Sequence, residues 1–290
     1  MKHTAVLALL AASVTASAFA IPAMADHHAG GEKMAKKYHS YTGLKEVLAH
    51  ERRAKDAPRD KFRNPGKTIK FFDIQPNHTV AEYAAGGGWY TRVLAPYVAA
   101  KGKYIAINPD PEKRSMSEER KARALAWAGA FPARVAEWTG MPAAKFSALT
   151  SGSVDDTNAG TVDRIIMPRM MHNLYRGNIA DNELKSLHKL LKDDGMIGIV
   201  QHRAKDDTPF SYANGNRGYL RTATVVKLME SHGFKLVKKS EINANSKDTA
   251  DYAKGVWTLP PRLAEGDKDK AKYQAIGESD RMTLLFKKVK

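Results

Sequence analysis

Three consecutive glycines, Gly86, Gly87 and Gly88, stand between a short apolar segment and a helical pattern. Glycine lets the backbone adopt a positive φ and lets a ligand approach without a Cβ in the way. In an open α/β sheet, ligands bind outside the carboxyl ends of the strands. We therefore predict a nucleotide-like cofactor at this turn; alternatively, the glycines make only a tight turn.

The residues around this turn limit the choice of cofactor. Gly86 and Gly88 fit the first two glycines of a G-x-G-x-x-G dinucleotide motif, but Thr91 occupies the third position. Asn108 ends the next predicted strand, where that motif has an acidic residue that binds ribose hydroxyls. These departures disfavour a nicotinamide-dependent oxidoreductase, which stays the weaker alternative. A P-loop is excluded because no Gly-Lys-Ser/Thr follows the glycines.

Polar side chains follow the predicted fourth and fifth strands. His172 and Tyr175 come after the fourth strand, and His202 and Arg203 come after the fifth. The carboxyl ends of parallel strands share one edge of a sheet, so we expect these residues near the glycine turn. Histidine is the natural general base near neutral pH, so His172 and His202 are the predicted catalytic residues. Arg203, which suits a carboxylate or phosphate, and Tyr175 are predicted to contact the substrate.

Two tryptophans are further candidates for the site. Trp89 begins the helix after the glycines and is predicted to wall the cofactor pocket; alternatively, it packs in the core. Trp257 lies in a stiff Trp-Thr-Leu-Pro-Pro segment, within a long connection between the last two predicted strands. Such connections are usually lids or binding loops, so we predict that Trp257 contacts the substrate. Alternatively, this connection is a surface segment that covers a sheet edge. The alternative for His172 is a polar residue that caps a loop.

Strands and helices must alternate along the chain to hold these residues. We predict strands over 78–84, 103–107, 134–138, 162–167, 196–201, 234–242 and 282–289, and helices over 89–98, 111–127, 179–191 and 222–232. Residues 139–161 are predicted to be mainly loop. This alternation requires crossover connections, and it predicts an α/β fold with a mostly parallel sheet and helices on both faces.

The rest of the chain divides into a leader and an extension. Residues 26–75 are predicted as a polar leader followed by an N-terminal helical extension, and residues 76–290 as one domain. The chain has no cysteine, which excludes disulfides and thiol chemistry. We find no zinc or calcium motif and predict no metal.

The first 25 residues resemble a targeting signal. Lys2 is followed by an apolar run over residues 4–22 and by Ala23-Met24-Ala25, a small-x-small pattern typical of signal peptidase sites. The run is short for a membrane span. We therefore predict a cleaved signal peptide over residues 1–25 and a periplasmic or secreted protein.

A formal net charge of +16 characterises the chain. The basic residues are spread along it, and no motif of a nucleic-acid module accompanies them. We therefore predict no specific nucleic-acid partner, and expect an anionic substrate or peripheral attraction to anionic surfaces.

Taken together, the motifs carry a resemblance to a known family. Residues 80–98 resemble motif I of class I S-adenosylmethionine-dependent methyltransferases. Over residues 40–290 the chain resembles a group of predicted exported bacterial methyltransferases, through the segments Gly86-Gly87-Gly88-Trp89-Tyr90-Thr91, Met171-His172-Asn173, Leu191-Lys192-Asp193-Asp194-Gly195, Gln201-His202-Arg203, Ser240-Glu241-Ile242-Asn243-Ala244-Asn245, Gly255-Val256-Trp257-Thr258-Leu259-Pro260-Pro261 and Gly277-Glu278-Ser279-Asp280-Arg281-Met282-Thr283.

This resemblance implies a Rossmann-like, seven-stranded sheet whose last strand is inserted antiparallel. It implies S-adenosylmethionine as the cofactor, with Asn108 at the ribose and Glu137 or Trp138 at the adenine. The other implied cofactor contacts are Glu82, Ala84, Gly86, Gly87, Gly88 and Trp89. Two residues depart from the family pattern, because Ala84 replaces a glycine and Asn108 replaces an acidic residue. An asparagine cannot offer two charge-assisted acceptors to a ribose.

The implied activity is methyl transfer to a small or lipid-like acceptor, in which the protein aligns the reactants and excludes water. The alternative is a non-catalytic periplasmic binding or accessory protein on the same fold. The two departures favour it, as does the fact that this cofactor is made in the cytoplasm.

Overall fold

A computed structural model describes residues 43–289 of the protein. The predicted signal peptide at residues 1–25 and most of the predicted leader lie outside the described residues. Within residues 43–289, no helix is both long enough and apolar enough to cross a membrane.

One sheet organises the chain. Its strands are β1 (Thr79–Tyr83), β2 (Lys103–Asn108), β3 (Phe146–Thr150), β4 (Val162–Pro168), β5 (Leu191–His202), β6 (Phe234–Ser240) and β7 (Arg281–Lys288). The seven strands lie in the order β3-β2-β1-β4-β5-β7-β6. Strands β1 to β5 pair in parallel, and β7 pairs antiparallel with both β5 and β6. The structure thus confirms the predicted mostly parallel sheet with an inserted antiparallel last strand.

Helices flank and precede this sheet. They are α1 (Leu44–Ala49), α2 (Asp60–Arg63), α3 (Pro65–Phe71), α4 (Thr91–Val98), α5 (Glu118–Thr139), α6 (Met171–Arg176), α7 (Ala180–Leu190), α8 (Thr222–Glu230) and α9 (Lys270–Ile276). Short 3-10 helices lie at Glu51–Arg53, Ala57–Arg59, Pro111–Lys113, Ala143–Lys145, Ser151–Ser153 and Gly255–Thr258.

The central strands are buried on both faces, as expected for a parallel sheet covered by helices. Alternate residues of β1 therefore enter different apolar cores. Val80 packs in a cluster with Val93 and Leu94 of α4, whereas Ala81 packs in a cluster with Leu184 of α7. This alternation fixes which of the two faces of the sheet each side chain of β1 covers.

The predicted third strand at residues 134–138 is wrong. Those residues lie in α5, which buries Phe131, Val135 and Thr139 at a helical spacing and is followed by the C-cap residue Gly140 with φ 70°. The third strand is β3, inside the segment predicted as loop. It pairs only with β2, and its alternation of buried and exposed residues is weak. The helix predicted from residue 111 begins at Glu118, after a 3-10 turn.

The N-terminal helices pack into the same core as the sheet. Val47, Ile69 and Phe72 are fully or almost fully buried in the cluster that contains Val80. A Cβ built on Gly198 of β5 would lie 2.4 Å from the ring of Phe72, so this glycine provides the space that the ring fills. The extension is therefore part of the hydrophobic core.

Candidate functional site

The glycine turn follows β1 at the carboxyl edge of the sheet. Ala84, Gly86 and Gly88 have φ values of 55°, 56° and 77°. A Cβ built on Gly86 would meet only the Ala84 carbonyl oxygen at 3.7 Å, and one built on Gly87 would meet nothing within 4 Å. Open space therefore borders Gly86 and Gly87, and a ligand can approach their backbone.

Gly88 has a different role in the turn. A Cβ at this position would lie 2.2 Å from the ring of Trp138, so the indole packs directly against the glycine. Trp138 belongs to α5, and the guanidinium of Arg92 lies 5.2 Å from its ring centroid. The space beside Gly88 is taken by protein, and this glycine is explained by packing.

Glu82 is buried beneath the turn. Its Oε2 accepts hydrogen bonds from Thr91 Oγ1 and from Tyr104 OH, each at 2.7 Å. Burial raises the pKa of Glu82 to about 7, although both hydrogen bonds act to lower it. The carboxyl group thus joins β1, β2 and the start of α4, and so fixes the two ends of the turn. Its predicted contact with a cofactor stays a prediction.

Trp89 packs against the N-terminal extension. Its ring lies 4.7 Å from that of Tyr90 in an edge-on arrangement, and the guanidinium of Arg63 lies 4.8 Å from its centroid. The residue is 7% exposed. This position fits the alternative interpretation, in which the aromatic residue packs in the core.

The other predicted cofactor contacts lie apart from one another. Asn108 is the last residue of β2, half-buried, and pairs with Thr150 of β3. Glu137 lies in α5 and borders a surface cavity with Arg92 and Trp138. The resemblance implies Glu137 or Trp138 at the adenine, and this contact stays a prediction.

The predicted catalytic histidines come together across the carboxyl ends of β4 and β5. His172 lies in α6 and His202 is the last residue of β5, and their ring centroids are 5.6 Å apart. The ring of Trp257 lies 6.2 Å from that of His172. Three residues that are far apart in the chain therefore form one group, as expected from the strand ends.

Hydrogen bonds fix the tautomer of His172. The side-chain amide nitrogen of Gln201 donates to the carbonyl oxygens of His202 and Gly218, at 3.2 and 2.8 Å. The amide oxygen of Gln201 therefore faces His172 Nδ1, at 3.2 Å. An amide oxygen only accepts, so Nδ1 carries the proton and Nε2 keeps a lone pair. Burial lowers the pKa of His172 to about 4, which keeps the ring neutral.

His202 is held from the connection between β6 and β7. Its Nδ1 lies 2.5 Å from Ser279 Oγ. Burial lowers the pKa of His202 well below its usual value, and the charges of Arg281 and Arg169 add to this effect. Both histidines are thus neutral near pH 7. Gln201, Ser279 and Arg169 were missed in the sequence, because only the fold brings them to the histidines.

Two predicted substrate contacts have other surroundings. The guanidinium of Arg203 donates to both carboxylate oxygens of Asp280, at 2.7 and 3.0 Å, and to those of Glu241, at 2.9 and 2.7 Å. These carboxylates raise the pKa of Arg203 and satisfy its donors. Tyr175 is half-buried and packs against the apolar cluster of α7.

A cavity of about 500 Å³ opens at the carboxyl ends of β2 and β4. Its lining includes Pro109 after β2 and Asn173 in α6. Lys113, Arg114 and Arg176 also line it, and no carboxylate does among the described residues. A larger cavity of about 750 Å³ borders Arg203 and β6. The histidines and the glycine turn line neither cavity. Asn173, which lines the smaller one, follows His172 directly in α6, so we place the site at the smaller cavity.

Comparisons with solved structures identify the fold. The chain superposes on geranyl diphosphate methyltransferase in complex with S-adenosylmethionine with a TM-score of 0.52, at 11% identity, over 88% of this chain and 95% of that one. The protein has the class I methyltransferase fold. A methyltransferase from Aquifex aeolicus gives a TM-score of 0.49 at 17% identity, over 86% of this chain and 100% of that one. No protein-family profile and no curated protein sequence matches the chain.

The class I methyltransferase fold accounts for the placement of the candidate site. The strand order reverses between β1 and β4, and ligands of open α/β sheets bind at such a point. The glycine turn follows β1, and the segment that leads to His172 follows β4. The two predicted halves of the site therefore flank the same crevice.

Proposed function

We propose that this protein is an exported S-adenosylmethionine-dependent methyltransferase that acts on a small or lipid-like acceptor. One observation carries the proposal. The open backbone at Gly86 and Gly87 and the lone pair of His172 Nε2 lie at the carboxyl edge of adjacent strands, where this fold binds ligands.

The residues at the turn fit such a cofactor. Ala84, Gly86 and Gly87 offer backbone without side-chain obstruction, and Asn108 offers one amide donor and one acceptor at the end of β2. When bound, S-adenosylmethionine supplies a methyl group that its sulfonium activates. The protein then has to align the acceptor and exclude water.

His172 suits the role of a neutral hydrogen-bond acceptor for the methyl acceptor. Gln201 orients the ring, so that Nε2 can accept a proton from an attacking hydroxyl or amine. A pKa of about 4 makes it a weak base, which suits an acceptor that loses its proton late in the reaction. Trp257 is half-buried beside the ring and helps to exclude water.

Export and the chemistry of the acceptor rest on the sequence. The pattern of residues 1–25 supports export. The net charge of +16, with three cations lining the cavity, supports an anionic acceptor or an anionic surface as partner.

A second function is favoured by one specific observation. Trp138 fills the space beside Gly88, so part of the glycine turn is already covered by the protein itself. A binding or accessory protein that has lost the reaction would tolerate this arrangement.

Calorimetric titration with S-adenosylmethionine and with S-adenosylhomocysteine tests the two proposals. We expect binding at roughly micromolar dissociation constants for a methyltransferase. Absence of binding at about millimolar ligand, in protein shown to be folded, would contradict the enzyme and favour the accessory protein. If binding is found, formation of S-adenosylhomocysteine with candidate acceptors is measured next.

A further inference from the structure

Three arginines from separate parts of the chain contact one carboxylate beside the histidines, and a fourth arginine interacts with it electrostatically. They are Arg59 and Arg63 in the N-terminal extension, Arg169 after β4, and Arg281 at the start of β7, and we call them the arginine cluster. Arg63 and Arg281 are 4% and 2% exposed, and Glu278 is 2% exposed. Such burial of guanidinium groups is costly unless each is paired.

Glu278 is shared by three of these arginines. It accepts from Arg59 Nε at 2.6 Å and from Arg63 Nε at 2.9 Å, and it also pairs with Arg281. Burial alone would raise the pKa of Glu278, but the charges of Arg281, Arg63 and Arg59 outweigh burial and lower it to about 2. One negative charge therefore faces several positive charges.

The fourth arginine has no such partner. Within residues 43–289, the guanidinium of Arg169 makes no hydrogen bond and no ion pair. Arg169 has a φ of 58° and keeps partial solvent access, although protein atoms surround it. Burial, together with repulsion from Arg63 and Arg281, lowers its pKa to about 9.

Two side-chain nitrogens of the paired arginines also lack a hydrogen-bond acceptor among the described residues. Arg59 Nη2 and Arg281 Nε are buried and have no hydrogen-bond partner among the described residues. Unsatisfied buried donors are uncommon, and these two can donate to an added acceptor. The cluster therefore has both surplus charge and surplus donors.

The position of the cluster links it to the candidate site. Arg281 of β7 is the residue paired with His202 of β5 in the sheet, and His202 lies 5.6 Å from His172 by ring centroids. The charges of Arg281, Arg169 and Arg63 also lower the pKa of His202. Arg169 also acts electrostatically on His172. An anion held by Arg169 would thus lie beside the proposed proton acceptor.

We propose that the arginine cluster, with Arg169 as its free member, binds a carboxylate or phosphate group of the methyl acceptor. The identity of the ligand as an acceptor rests on the proposed function, whereas binding of an anion does not. Arginine suits this task because its planar fork donates two parallel hydrogen bonds to such groups. The acceptor would then carry its anionic group near the nucleophile that His172 faces.

The affinity of the purified protein for inorganic phosphate, measured by titration, tests the site. If S-adenosylhomocysteine binds, the protein is first saturated with it. We expect Arg169→Gln to weaken phosphate binding by roughly tenfold, since hydrogen bonds to charged groups contribute this much. Arg169→Lys should retain part of the affinity. Arg123→Gln, in an exposed ion pair with Glu119 on α5, is the matched control and should bind as the wild type does. Circular dichroism verifies that each variant is folded.

Several results would overturn the proposal. One is equal phosphate affinity in Arg169→Gln and the wild type; another is no phosphate binding by the folded wild type up to about 50 mM. The cofactor's own carboxylate is the competing occupant of the cluster. If Arg169→Gln weakens binding of S-adenosylhomocysteine but not of methylthioadenosine, which lacks the carboxylate, the cluster serves the cofactor and the proposal is wrong. Failure of S-adenosylhomocysteine to bind, with phosphate binding intact, would contradict the proposed function only.

Discussion

The side-chain oxygen of Gln201 lies 3.2 Å from Nδ1 of His172, and this contact assigns the proton of the imidazole to Nδ1. Because the amide nitrogen of Gln201 is held by two backbone carbonyls, the glutamine cannot reverse its orientation without losing both bonds. The position of the lone pair on His172 Nε2 is therefore set by Gln201, whose own orientation is fixed by the backbone.

Gln201→Glu should raise the pKa of His172. A carboxylate at this position stabilises the protonated ring, so we expect the value to rise from about 4 by at least about one unit. The measurement is an NMR titration of the His172 ring protons. Gln75→Glu, at an exposed position, is the control and should leave the titration unchanged. An unchanged value in Gln201→Glu would contradict the assigned contact.

His172→Ala should lower turnover more than it lowers cofactor affinity, because the residue acts on the acceptor. We expect a decrease of roughly 100-fold in kcat, typical of a lost general base. Steady-state kinetics and calorimetry give the two quantities separately. His232→Ala is the control, since His232 follows α8 and bonds to the Leu228 carbonyl. Full activity in His172→Ala would remove this residue as the proton acceptor.

Gly86→Val and Gly87→Val should abolish binding of S-adenosylhomocysteine, because their side chains would enter the open space beside the turn. Gly86 has a positive φ, so valine there also strains the backbone. Gly87→Val lacks that strain and is the cleaner test. Gly129→Val, on α5 with nothing within 4 Å of a built Cβ, is the matched control. Normal binding by folded Gly87→Val would show that the ligand lies elsewhere.

Gly88→Ala should destabilise the protein by about 2–3 kcal/mol, through overpacking and a strained positive φ. The new Cβ would lie 2.2 Å from the ring of Trp138. Urea unfolding gives the free energy of unfolding. In a Trp138→Ala background the same substitution should cost less, and the difference measures the coupling of the two residues. Additive effects would mean that Trp138 does not occupy this space.

The stability of the protein should depend on pH through His172. Its pKa is about 4 when folded and about 6.5 when unfolded, so the unfolded state binds more protons between these values. The contribution of His172 to the free energy of unfolding is fully present above pH 6.5. As the pH falls toward 4, up to about 3 kcal/mol of it is lost. Urea unfolding from pH 7.5 to 4.5 should give a shallower dependence for His172→Gln than for the wild type. Equal slopes would contradict the lowered pKa.

The central sheet could be predicted from the sequence because β1, β2, β4 and β5 are buried apolar segments bounded by turn residues. The edge strand β3 could not, since few of its residues are buried and its pattern is weak. The apolar residues of 134–138 fit either period over so short a window. Only the longer spacing of Phe131, Val135 and Thr139 distinguishes the helix.

The candidate site, like the sheet, could be predicted from the sequence only in part. His172 and His202 follow parallel strands, so their proximity follows from the topology alone. Arg203 also follows a strand, but Asp280 and Glu241 from the later connection bind its guanidinium. The arginine cluster depends on contacts between the extension and β7, which no local pattern reveals.

The packing of Phe72 against Gly198 determines whether the sheet domain can be separated from the N-terminal extension. A fragment that begins at β1 would leave a hole in its sheet face where the phenyl ring belongs, and Glu278 would lose Arg59 and Arg63. Such a fragment would expose apolar surface and tend to aggregate. The helices before the sheet and the sheet itself therefore form a single folding unit, and a substitution in either one alters the packing of the other.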